Sequence, residues 1–207
     1  MASASLLRRI VVFDLGGVLI RWDPRFLYRK LFPGDDAAME TFLATVCTEE
    51  WNERQDAGRS FADAVAELLP RHPEKTQLIE SFGRRFDEMI PGAIEGTVEI
   101  LSDLKRVGVP LYAITNWSAE TFPSQRERFP FLALFDGIVV SGEEGVIKPD
   151  PRIFGILFQR YGIKAEQAIF IDDDPRNATA ATALGFHGIH YRSPVLLRSE
   201  LEALGLC

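Results

Sequence analysis

The sequence is poor in cysteine and lacks both a long apolar segment and a basic tract. Its two cysteines, Cys47 and Cys207, lie far apart in a chain of 207 residues, which argues against a disulfide framework and is typical of a reducing compartment. No apolar run reaches the roughly 18 residues that predict a membrane-spanning helix. Lysine and arginine are scattered, and the net charge is -7, which argues against a nucleic-acid-binding surface. Because the N-terminus also lacks the apolar segment of a secretion signal, we expect a cytoplasmic protein that binds neither membranes nor nucleic acid.

The residues that are present describe an ordinary globular protein. Hydrophobic residues make up 46% of the chain and charged residues 26%, which argues against disorder. The length suits one sizeable core with an accessory module.

The second half of the chain alternates between helical and strand patterns. A helix after Thr97 is followed by predicted strands at 109–115, 137–141, 167–173 and 187–192, with helical patterns between them. The apolar run before Asp14 adds a first strand at the start of the chain. Strands that alternate with helices predict an α/β fold whose parallel sheet is covered on both faces.

The segment from Pro24 to Met89 interrupts this alternation directly after the first strand. Its periodicity predicts four helices and no strand, with residues 48–60 as a polar stretch around Trp51. We interpret it as an all-helical cap inserted above the sheet edge. The predicted units are therefore an α/β core of residues 1–22 and 91–207 and a helical cap of residues 23–90.

Polar residues follow four of the predicted strands. The first strand ends at Asp14, the second runs into Thr115, the third leads to Lys148, and the fourth ends in the acidic run 172–174. Each has an ordinary structural explanation, such as a helix cap or a solvated loop charge. The carboxyl ends of parallel strands meet at one edge, which is where open α/β sheets place their chemistry.

These four segments resemble the motifs of the haloacid dehalogenase superfamily, in the same order and with similar spacing. The matching stretches are FDLGGVL, ITNWS, IKPDP and FIDDDPRNATAA. The resemblance is to the phosphatase-like members with an inserted helical cap. It implies a Rossmannoid core of three layers and a hydrolase that needs Mg²⁺ as its cofactor.

The resemblance also implies a role for each catalytic residue. Asp14 is the nucleophile that forms an aspartyl-phosphate, and Lys148 neutralises both Asp14 and the transferring group. The Thr115 hydroxyl and the Asn116 N–H hold phosphoryl oxygens. The substrate expected for such a site is a small phosphorylated metabolite, for example a sugar phosphate.

The metal and the surrounding positions follow from the same resemblance. Mg²⁺ is expected between Asp14, the backbone carbonyl of Gly16 and Asp173. Supporting or substrate-contacting positions lie beside these motifs and in the cap; they are Gly17, Asp172, Asn177, Trp117 and Trp51. Trp117 is the expected pocket wall, and Trp51 either stacks on a ring of the substrate or anchors the core of the cap.

Gly16 departs from the family pattern. Most phosphatases of the family carry there a second aspartate, which protonates the leaving oxygen, and glycine has no proton to give. Several interpretations stay open: a phosphatase acting on a good leaving group or using an acid from elsewhere, a 2-haloacid dehalogenase that forms an ester on Asp14, a phosphonate-cleaving enzyme, or a non-catalytic phosphate-ligand binding protein. The retention of Asp173 favours a metal-dependent phosphatase, because the dehalogenases need no Mg²⁺.

Overall fold

The computed structural model describes residues 10–206. Residues 1–9 of the predicted core unit and Cys207 lie outside the described residues. The strands and helices are β1 (Ile10–Phe13), β2 (Ile20–Arg21), α1 (Arg25–Leu31), α2 (Asp36–Thr45), α3 (Glu49–Asp56), α4 (Phe61–Leu68), α5 (Thr76–Arg84), β3 (Gly92–Ala93), α6 (Glu95–Arg106), β4 (Leu111–Thr115), α7 (Phe122–Arg128), β5 (Gly137–Val140), α8 (Ser141–Glu144), α9 (Pro151–Tyr161), β6 (Ala168–Asp172), α10 (Pro175–Ala183), β7 (His187–His190) and α11 (Pro194–Ala203).

A parallel sheet of five strands, in the order β5-β4-β1-β6-β7, forms the centre of the molecule. In β1, the side chains of Val11 and Phe13 belong to one apolar cluster and that of Val12 belongs to a second cluster. Successive side chains of a strand point to opposite faces, so the sheet is buried on both. The predicted α/β fold is confirmed.

A short antiparallel ribbon joins the sheet to the helical segment. Ile20 pairs with Ala93 and Arg21 with Gly92, so β2 and β3 meet where the chain leaves the core and where it returns. The five helices α1 to α5 lie between these two strands. We propose this ribbon as the boundary between a core of residues 1–22 and 91–207 and a cap of residues 23–90.

The cap has its own aromatic core, which is continuous with that of the sheet. The Trp51 ring packs edge-on against Phe82 at a centroid distance of 5.2 Å, and the Phe86 ring lies 6.0 Å from that of Trp117 in the core unit. Cap and sheet residues therefore share one apolar cluster.

Several elements differ from the sequence prediction. The stretch predicted as polar and irregular contains α3, whose first turn is capped by the Thr48 hydroxyl accepting from the Trp51 N–H. The β2–β3 ribbon, the short helix α8 and the terminal helix α11 were also not predicted. Within residues 10–206, no helix combines the length and the apolar character that a membrane crossing requires.

Candidate active site

The ends of three adjacent central strands bring the chemically active side chains together. Asp14 follows β1, Thr115 ends β4 and Asp172 ends β6. Because β1 lies between β4 and β6 and all three run parallel, these residues share the carboxyl edge of the sheet.

Asp14 is buried, with 8% of its surface exposed. Its Oδ1 accepts a hydrogen bond of 2.6 Å from the Leu15 N–H and lies 2.9 Å from Lys148 Nζ. Burial raises the pKa of Asp14, the Lys148 charge opposes this rise, and the neighbouring Asp172 and Asp173 carboxylates add to it. Ionised Asp14 therefore depends on nearby positive charge.

Lys148 supplies one such charge from a buried position. Its Nζ bridges Asp14 Oδ1 at 2.9 Å and Asp172 Oδ2 at 2.7 Å. Burial alone would lower the pKa of Lys148, but the two carboxylates outweigh it and leave the pKa raised. The Asn116 amide fixes the backbone of this residue, accepting from the Lys148 N–H at 2.8 Å and donating to its carbonyl at 3.1 Å.

Asp172 is fully buried and its oxygens are occupied by the protein. While Oδ2 pairs with Lys148, Oδ1 accepts from the Asp174 N–H at 2.9 Å and from Asn177 Nδ2 at 3.1 Å. Asp172 and Asn177 thus hold the loop in shape. Asp174 caps α10, accepting from the Arg176 N–H.

Asp173 points out of this network and lies against Gly17. A Cβ atom at Gly17 would lie 2.0 Å from Asp173 Oδ2, so only glycine admits the carboxylate here. Gly17 also has a φ of +71°, in the left-handed region that glycine occupies without strain. The Asp173 pKa is raised, first by partial desolvation in the cavity and then by the Asp172 charge.

The donor set fits a hard divalent cation. Carboxylate oxygens of Asp14, Asp172 and Asp173 lie within 4.8 Å of one another. Oxygen ligands of this kind suit Mg²⁺. Since Asp172 is already engaged by the protein, Asp14 and Asp173 are the carboxylates that remain to ligate a metal.

Thr115 and Trp117 differ in their relation to the site. Thr115 is fully buried, and no described residue hydrogen-bonds to its Oγ1. Trp117 lines a cavity of about 200 Å³ together with Asp14 and Asp173. Its indole Nε1 donates to Thr121 Oγ1 at 3.1 Å, which fixes the ring.

The cap closes this cavity from above. Its contribution comes from Asn52, Asp56 and Phe86, and Trp22 lies at the junction. A larger cleft of about 980 Å³ shares Trp22, Asn52 and Asp56 with the cavity and extends along the cap. The nucleophile therefore faces a small chamber with a wider entrance.

Trp51 lies in the interior of the cap. It is 2% exposed, its Nε1 donates to the Ala64 carbonyl at 3.3 Å, and it lines neither the cavity nor the cleft. Of its two interpretations, the structure supports the cap anchor. The cap residues that do reach the cavity were missed because α3 was not predicted; the spacing of Asn52 and Asp56, four residues apart, was the available signal.

A comparison with family models places the chain. Residues 8–185 match the model of haloacid dehalogenase-like hydrolases. The chain belongs to this family. The expected relationship is thus confirmed, and this haloacid dehalogenase-like protein is a hydrolase.

Individual relatives share both sequence and fold with it. The chain is 29% identical over 201 residues to the sesquiterpene phosphatase astK of Aspergillus oryzae, covering 96% of this chain and 97% of that one. It is 30% identical over 217 residues to mouse acyl-CoA dehydrogenase family member 10, where 95% of this chain spans only 19% of the relative. A variant of a haloacid dehalogenase family enzyme of Bacteroides thetaiotaomicron, solved with magnesium and inorganic phosphate, superposes with a TM-score of 0.69 at 20% identity, covering 89% of this chain and 94% of the other.

Proposed function

We propose that this hydrolase is a Mg²⁺-dependent phosphatase that hydrolyses a small phosphorylated metabolite through an aspartyl-phosphate on Asp14. The observation that carries the proposal is the pairing of Asp14 with Lys148 at 2.9 Å beside the exposed carboxylate of Asp173. A carboxylate can attack a phosphate dianion only where their repulsion is offset. The phosphatase and magnesium–phosphate relatives support the same chemistry.

Each residue of the site has a defined task in this proposal. Asp14 Oδ1 is held by Leu15 and Lys148, which leaves Oδ2 to attack phosphorus. Lys148 offsets charge on Asp14 and on the phosphoryl group, and the unpaired Thr115 Oγ1 with the Asn116 N–H receives phosphoryl oxygens. Bound Mg²⁺, held by Asp14, Asp173 and the Gly16 carbonyl, would offset the remaining negative charge.

The lining of the cleft supports a substrate with a polar body. Its volume of about 980 Å³ lies at the upper end of the roughly 300–1,000 Å³ of small-molecule sites. Its wall contains charged side chains, among them Arg25 and Arg176, beside apolar ones such as Leu43. A phosphate ester with a polar body, such as a sugar phosphate, suits this wall.

The test is hydrolysis of p-nitrophenyl phosphate with and without Mg²⁺. We expect release of p-nitrophenol with Mg²⁺, its loss in EDTA, and its loss in Asp14→Asn. Asp150→Asn is the matched control, because Asp150 caps α9 at the surface and asparagine also caps helices well. A wild-type protein that leaves a broad panel of phosphate esters intact, but releases chloride from 2-chloropropionate in EDTA, would contradict the proposal.

A further inference from the structure

The proposed phosphatase needs a proton donor that Gly16 does not provide. When the phosphoryl group of an alkyl ester is transferred to a nucleophile, the leaving oxygen departs as an alkoxide unless an acid protonates it. Gly16 lines the cavity but has no side chain. A donor must therefore come from another side chain that faces the nucleophile.

The cavity wall contains three titratable side chains among the described residues. They are Asp14, Asp173 and Asp56. Asp14 is the proposed nucleophile, and Asp173 is a proposed metal ligand. Asp56, the last residue of α3, is the one without a role, and it enters from the cap side opposite the sheet edge.

Asp56 is held in place by the core as well as by its own helix. Its backbone carbonyl accepts a hydrogen bond of 2.5 Å from Ser141 Oγ, which in turn accepts from the Trp117 N–H at 2.9 Å. Its carboxyl accepts from Asn52 Nδ2 at 3.1 Å, and the Ser118 amide stabilises its ionised form. The side chain is thus fixed beside the loop that carries Asn116 and Trp117.

The surroundings of Asp56 raise its pKa towards neutrality. Burial raises its pKa to about 7, and the Glu53 charge on the same helix adds to this rise. The Ser118 amide and the Lys148 charge, both from the core, oppose it. A group with a pKa near neutrality both gives and takes a proton readily at physiological pH.

We propose that Asp56 is the general acid and base of the reaction, replacing from the cap the aspartate absent at position 16. This inference rests on the proposed phosphatase function. In the first half-reaction an Asp14 oxygen bonds to phosphorus while the bond from phosphorus to the leaving oxygen breaks, and Asp56 gives its proton to that oxygen to release the alcohol. In the second half-reaction Asp56 takes a proton from water, whose oxygen bonds to phosphorus while the bond from phosphorus to the Asp14 oxygen breaks, which frees the Asp14 carboxylate and inorganic phosphate.

A comparison of esters with different leaving groups distinguishes a proton-donating role of Asp56 from a purely structural one. We expect Asp56→Asn to lower kcat/KM for an alkyl ester such as glycerol 2-phosphate by about 10²–10⁴-fold. With p-nitrophenyl phosphate, whose leaving group needs no proton, kcat/KM should change less than about threefold, since kcat/KM reports only the first half-reaction. In the wild-type protein, kcat/KM for the alkyl ester should also fall as the pH rises above about 7, and it should not do so for the aryl ester.

Two further variants complete the test. A Cβ atom at Gly16 would meet no other atom within 4 Å, so the position has room for the first atom of a side chain. We expect Gly16→Asp to restore alkyl ester hydrolysis at least tenfold in the Asp56→Asn background. Asp63→Asn, on the exposed face of α4 in the same cap, should leave the ratio of alkyl to aryl hydrolysis unchanged.

The outcomes distinguish this inference from the proposed function. If Asp56→Asn lowers kcat/KM equally for both esters, Asp56 is not the proton donor, although the phosphatase proposal stands. If the wild-type protein hydrolyses no phosphate ester, the proposed function fails and this inference fails with it. If Asp56→Asn does not fold, the pH dependence of the wild-type protein with the two esters decides.

Discussion

At the scale of single residues, the site is built from an excess of negative charge. One lysine, Lys148, contacts the two buried carboxylates of Asp14 and Asp172, and Asp173 lies beside them. Removing one partner of a buried ion pair leaves an uncompensated charge, which is why these residues depend on each other. The cluster as a whole still lacks one or two positive charges, which a divalent cation would supply.

The residues of this cluster could be predicted because they are fixed by strand geometry. Asp14, Thr115 and Asp172 directly end or follow buried strands, so their meeting point depends only on the strands being parallel and adjacent. Asp56 could not be predicted in the same way. The spacing of Asn52 and Asp56 places both on one face of a helix, but the position of that face over the cavity depends on how the cap packs on the core, which the local sequence does not encode.

Gly17 gives a prediction at this scale. Gly17→Ala should lower the free energy of unfolding by about 1–2 kcal/mol from the left-handed backbone alone. It should also weaken Mg²⁺ binding, because the new methyl group would occupy the position of Asp173 Oδ2. Urea unfolding and a Mg²⁺ titration measure the two effects.

Gly16→Ala is the control for that prediction. Its Cβ meets no atom within 4 Å, and its φ is not in the left-handed region. We expect both stability and Mg²⁺ affinity to stay near the wild-type values. Equal losses in the two variants would contradict the assigned contact between Gly17 and Asp173.

At the scale of elements, the helix α3 connects cap and core. It contributes Trp51 to the cap interior and Asp56 to the cavity. Sequence periodicity missed it because Trp51 is its only large apolar residue, and eight residues give two turns of pattern at most. The β2–β3 ribbon was missed for a similar reason, since two residues a strand show no alternation. Longer elements such as α9 and β6 were predicted close to their observed bounds.

The substitution Ser141→Ala tests the hydrogen-bonded connection between α3 and the core. In Ser141→Ala the Asp56 carbonyl and the Trp117 N–H both lose their partner. We expect the free energy of unfolding to fall by about 1–3 kcal/mol, the cost of leaving a buried polar group unpaired. Chemical denaturation followed by tryptophan fluorescence measures the change.

Ser102→Ala is the matched control for Ser141. The Ser102 hydroxyl donates only to the Val98 carbonyl one turn earlier in α6, which water can replace. A loss below about 0.5 kcal/mol is expected there, as for most substitutions away from buried networks. If Ser141→Ala is equally mild, the hydrogen bond to Asp56 contributes little to docking of the cap.

At the scale of the whole molecule, Mg²⁺ binding should raise the free energy of unfolding. A ligand that binds only the folded state at 100 times its Kd adds about 2.7 kcal/mol. For a chain of 207 residues this corresponds to a rise in Tm of about 5–10 °C. We expect Mg²⁺ to produce such a rise in calorimetry and EDTA to reverse it.

The variants that check this rise are Asp173→Asn and Asp150→Asn. Asparagine at 173 removes the charge of one proposed ligand, so the rise in Tm should be largely lost. Asp150→Asn changes a surface carboxylate that caps α9 and pairs with Arg152, not with a proposed metal ligand, and it should keep the full rise. A rise of the same size in both variants would show that Mg²⁺ acts elsewhere on the protein.

The apolar cluster shared by cap and sheet affects how often the cap opens during turnover. A cap that packs on the core through Phe86 and Trp117 exposes apolar surface whenever it lifts. At about 25 cal/mol per Å², each 100 Å² of apolar surface exposed on lifting would cost about 2.5 kcal/mol, a factor of several tens in favour of the closed form. We therefore expect the closed form to predominate, with exchange of ester for alcohol and phosphate taking place in brief openings of the cap.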